Sequence, residues 1–70
     1  MKVFIIIYLG ATMVFAGERK EPENPAKDMA WCKSAIAEAA KKQEARIEAG
    51  AQKLRYRFAC KIGRTPRDAQ

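Results

Sequence analysis

The sequence predicts a small all-α protein, built on one long Ala-rich amphipathic helix over about residues 25–49 and flanked by disordered ends. Three observations predict it. Strong helix formers (Ala, Glu, Lys, Gln, Arg) fill the segment behind a capping pair, Asn24-Pro25. Met29, Cys32, Ile36, Ala40, Ile47, Ala51, Leu54, Phe58 and Ile62 fall on one stripe at helical spacing. The chain has only 70 residues, room for at most one small domain.

Residues 1–16 hold thirteen apolar residues, so the 49% apolar content is concentrated at the start. Lys2 precedes an apolar run, and Val14 and Ala16 occupy the −3 and −1 positions of a cut before Gly17. That is the pattern of a cleaved secretory signal peptide. A membrane span needs about 20 apolar residues. This run stops at Gly17 and is followed by Glu18-Arg19-Lys20-Glu21. The protein is therefore expected to be secreted and extracellular, with a cut after Gly17 as the nearest alternative.

Residues 17–24 lack large apolar side chains and contain Pro22, and they read as a flexible leader. The helical body is expected over 25–62. Asp28 suits the positive end of the helix dipole, and Glu38 with Lys42 forms an i,i+4 pair in the favourable order. Gly50 reads two ways. It can end the helix and turn the chain back, or be spanned at a cost of about 1 kcal/mol. Leu54, Tyr56, Phe58, Cys60 and Ile62 alternate with Arg55, Arg57, Ala59 and Lys61, which is a strand period. A lone strand is unstable, and the stripe crosses Gly50 without a phase slip, so helix to about 62 is preferred. Residues 63–70 read as a basic flexible tail.

Beyond the signal only eight large apolar side chains remain: Met29, Trp31, Ile36, Ile47, Leu54, Tyr56, Phe58 and Ile62. So small a core needs a staple or a partner. Cys32 and Cys60 supply a disulfide in an oxidising compartment. An unbroken helix would hold them about 42 Å apart, beyond the roughly 7 Å that a bond tolerates. A helix followed by an extended return is the simplest bonded monomer. An unbroken helix implies free thiols or a covalent dimer through Cys32 or Cys60. Trp31 is expected to shield the bond or pack on the tail rather than anchor an external contact.

The charge balance is 14 Lys+Arg against 8 Asp+Glu, net +6 with no His. The absence of His removes imidazole catalysis, and two Cys cannot close a four-ligand zinc site. Ser34 is the only serine, and no cavity is expected to desolvate a carboxylate. No enzyme activity, metal or cofactor is expected. Between Gly50 and Arg67 six bases stand with no acid. Lys53, Arg55, Tyr56, Arg57, Phe58 and Lys61 interleave bases with aromatics and form the expected partner-binding set. An extracellular protein or receptor is the leading partner, with anionic membrane surfaces or glycans next; secretion argues against nucleic acid. Arg19-Lys20 and Gly63-Arg64 fit dibasic cleavage and amidation signals. Arg55-Tyr56-Arg57-Phe58 resembles the end of Arg-Phe-amide neuropeptides, except that Ala59 follows where Gly is required.

In overall organisation the chain resembles short secreted arthropod gland peptides, of the male accessory-gland (seminal-fluid) or venom-toxin type. The short signal, the basic body and the single Cys pair carry that resemblance. It implies a secreted cationic peptide effector. The alternative is a membrane-active or antimicrobial peptide, which would need bases concentrated on one helix face.

Overall fold

A computed structural model describes residues 1–67, folded in the order β1 (Lys2–Leu9), β2 (Thr12–Glu18), α1 (Pro25–Glu48) and β3 (Arg57–Gly63). The class is mixed α/β, which corrects the all-α expectation. The strands form one antiparallel sheet in the order β2-β1-β3. Residues 68–70 of the expected tail lie outside the described residues, and Gly63 belongs to β3.

The sheet begins where a signal peptide is read. Val3, Phe4, Ile5, Ile6, Ile7 and Tyr8 are β-branched or aromatic, the side chains that best fit a pleated surface. Gly10 and Ala11 join β1 to β2, with φ of +63° at Gly10 and no positive φ at Ala11. That combination is a type II′ turn, whose twist matches a hairpin. Register slips once: Ile7 faces Phe15 and Tyr8 faces Met13, leaving Val14 as the extra residue of a bulge. β2 runs through Glu18, and Arg19 is tied to Glu23 at 3.0 Å and Asp28 at 3.5 Å. The expected leader is thus partly strand and partly anchored loop.

α1 starts as expected. Asn24 is extended at φ −159° and ψ 162°, and its side chain accepts from the Lys27 N–H at 2.9 Å. The helix does not reach residue 62. Gly50 adopts φ +78°, and its N–H donates to the Ile47 carbonyl at 3.1 Å. The Ala51 N–H donates to the Arg46 carbonyl at 2.9 Å. These paired bonds make a Schellman cap. Glycine there avoids the left-handed penalty, and the chain turns back.

β3 pairs with β1 over seven residues, from Lys2 opposite Gly63 to Tyr8 opposite Arg57. The period-2 alternation of residues 54–62 therefore outweighs continuity of the stripe. A lone strand would fail here, and β1 supplies the missing partner. Cys60 stands opposite Ile5 and is bonded to Cys32, with Cα atoms 6.0 Å apart. The bond is intramolecular and leaves no free cysteine. Val3, Phe4, Ile6 and Cys32 are the buried apolar residues among those described, so β1 carries three of the four. The helix turns Asp28, Cys32 and Gln43 inward, at helical spacings along one stripe.

Candidate functional site

The return from Gly50 to β3 contains most of the expected partner-binding set, and its geometry is fixed by one buried amide. Gln43 is 3% exposed. Its Oε1 accepts from the Tyr56 N–H at 2.8 Å, and its Nε2 donates to the Tyr56 carbonyl at 3.0 Å. One side chain thus takes the place of a strand neighbour for Tyr56. Gln52 braces the amide by donating to Gln43 Oε1 at 2.9 Å, and Arg46 Nε donates to Gln52 Oε1 at 3.0 Å. A buried amide with its polar atoms satisfied is stabilising as well as specific.

The six expected partner-binding residues do not form one cluster. Lys53 is exposed on the turn, next to Leu54, which is 55% exposed. Arg55 is ion-paired to Glu44 of α1. The Arg57 guanidinium sits 4.3 Å from the centre of the Tyr8 ring, a cation–π contact across β1 and β3. Lys61 lies opposite Phe4 and is half-buried. Only Tyr56 and Phe58 meet at a shared feature. They line an open groove of about 470 Å³ with Ile7, Val14, Phe15, Gln43, Arg46 and Gln52. Phe15 is 53% and Val14 49% exposed at its rim.

That lining can bury apolar surface and offer amide, phenol and guanidinium hydrogen bonds. It holds no carboxylate, thiol or imidazole for proton transfer. Among the described residues no group of three or more His, Cys, Asp or Glu could hold a metal ion. No helix among them is long and apolar enough to cross a membrane. Trp31 is half-buried.

Sequence reasoning missed Gln43, Arg46 and Gln52. Gln43 had a readable signal, because it lies between Ala40 and Ile47 on the apolar stripe. A polar residue on a buried stripe needs a fixed hydrogen-bond partner. Arg46 and Gln52 carry no comparable signal. Compared with protein-family models, curated proteins and solved structures, the chain matches none.

Proposed function

We propose that this protein is a secreted, non-enzymatic peptide effector that binds an extracellular protein or receptor, in the manner of seminal-fluid or venom peptides. One observation carries the reading. Among the described residues, the bonds that fix the basic return against α1 lie beyond residue 16: Cys32–Cys60, the Gln43 amide on Tyr56, Gln52 on Gln43, and Arg55 on Glu44. Removal of the N-terminal segment leaves this stapled hairpin of helix and strand connected. The same removal strips away Val3, Phe4 and Ile6, most of the buried apolar surface. A unit that keeps its staple but loses its core suits a peptide that completes its packing on a partner.

Expression of the full chain in cultured insect cells tests this. The medium should contain a product whose intact mass begins at Gly17 or Glu18 and carries one disulfide. Labelled product should bind membranes of arthropod reproductive tract or muscle saturably. Shuffling residues 53–62 should abolish that binding. Retention of residues 1–16 in the cell, or equal binding by the shuffled form, overturns the reading.

A further inference from the structure

We propose that the secreted peptide is a non-covalent dimer in which β3 of one copy pairs antiparallel with β3 of a second copy, centred on Cys60. The proposal rests on the signal-peptide reading above and names the first partner that the processed chain meets.

β3 is an edge strand whose single strand neighbour is β1. All of β1, Lys2–Leu9, lies within the expected signal segment. Cleavage removes it and leaves the backbone N–H and C=O groups of that ladder without partners. Such an edge is a template for strand addition. After cleavage Cys60 is still bonded to Cys32 and Gln43 still holds Tyr56, so the segment stays beside α1, and a second copy supplies the strand neighbour that β1 had been. The apolar side chains that faced β1 also lose their cover, Phe58 opposite Ile7 and Ile62 opposite Val3 among them.

The β3 sequence selects a second copy through charge and size. A two-fold about Cys60 sets Arg57 opposite Gly63, Phe58 opposite Ile62 and Ala59 opposite Lys61. Each base then faces a residue without charge, and an aromatic faces a β-branched side chain, a favoured cross-strand pair. Centring on Ala59 would set Arg57 against Lys61. Centring on Lys61 would set that lysine against itself. Both put like charges in direct opposition, which is destabilising. Odd registers would place the two disulfides, and hence the two helices, on opposite faces of the ribbon. The Cys60-centred register alone keeps the seven-residue ladder, both helices on one face and the bases apart.

The test uses product secreted from the full chain, analysed by intact mass, non-reducing gel and light scattering across micromolar concentrations. The expected result is a chain beginning at Gly17 or Glu18, a dimer in solution and a monomer on the gel. Ala59→Arg places a base against Lys61 twice and should raise the dimer dissociation constant tenfold or more. Ala59→Glu should leave it unchanged or lower it. Far-UV circular dichroism and the intact disulfide check that each variant remains folded. A processed chain that is monomeric throughout overturns the dimer and leaves the secretion reading standing. A dimer indifferent to both variants, or weakened equally by both, overturns the β3 pairing. Retention of residues 1–16, or failure to be secreted, overturns the premise and the dimer with it.

Discussion

Replacing Gln43 with Leu would leave the Tyr56 N–H and carbonyl without their partners at 2.8 and 3.0 Å. An unpaired buried backbone group costs about 1–3 kcal/mol, so chemical denaturation should show a loss in that range. Arg55→Ala removes the ion pair to Glu44, whose side chains are 61% and 56% exposed. Water screens such a pair, and its loss should cost about 0–1 kcal/mol. The two variants therefore rank opposite to what charge alone suggests. An Arg55 effect larger than the Gln43 effect would mean that the return is held by charge rather than by the buried amide. Gly50 gives a third case. Its φ of +78° lies where Cβ meets the following carbonyl, so Gly50→Ala should cost about 1–2 kcal/mol, read as a lower melting temperature.

Of the two elements that the disulfide joins, α1 depends on it less than β3 does. α1 has its own cap at Asn24 and its Schellman closure at Gly50. β3 is joined to the helix by Cys32–Cys60, at a sequence separation of 28. Closing a loop of that size stabilises by about 3–4 kcal/mol in the chain-entropy model. In the full chain, where β1 still pairs with β3, reduction should therefore lower amide-exchange protection over Arg57–Gly63 more than in the middle of α1. Equal loss in both would show that helix and strand form one cooperative unit. The two elements were also unequally legible in the sequence. Asn24, Pro25 and the helix formers behind them marked the start of α1 to the residue. The alternation from Leu54 to Ile62 marked β3, but its partner strand was hidden. β1 is a continuous apolar run without period-2 alternation, so periodicity cannot identify it as a strand. Lys2 and the small residues near Ala16 gave the same run a second, coherent meaning. With β1 unseen, β3 had no neighbour, and the helical stripe took precedence.

Across the whole molecule the decisive quantity is how the excess positive charge is arranged. α1 carries five bases and four acids, and Lys42 lies 3.7 Å from Glu38 and Lys27 3.2 Å from Glu23. Its inward stripe contains Asp28 and Gln43 rather than an unbroken apolar face. A helix that inserts into lipid needs the reverse, with bases gathered on one face and large apolar residues on the other. Outside α1, the chain from residue 17 onward carries Arg19 and Lys20 before the helix and Lys53, Arg55, Arg57, Lys61, Arg64 and Arg67 after it, and of these Arg19 is paired with Glu23 and Asp28 and Arg55 with Glu44. Attraction to an anionic surface is then left to scattered exposed charges, which salt screens within about 8 Å at physiological ionic strength. The processed product proposed above should therefore bind anionic vesicles weakly at low salt and detach as salt rises. It should release no entrapped dye at peptide-to-lipid ratios where a cationic amphipathic helix empties the vesicles. Its helicity should not increase on binding, because α1 is already closed at both ends. Dye release accompanied by a rise in helicity would mean that the disulfide-linked hairpin opens on lipid, and a membrane-active role would then replace the receptor-binding one.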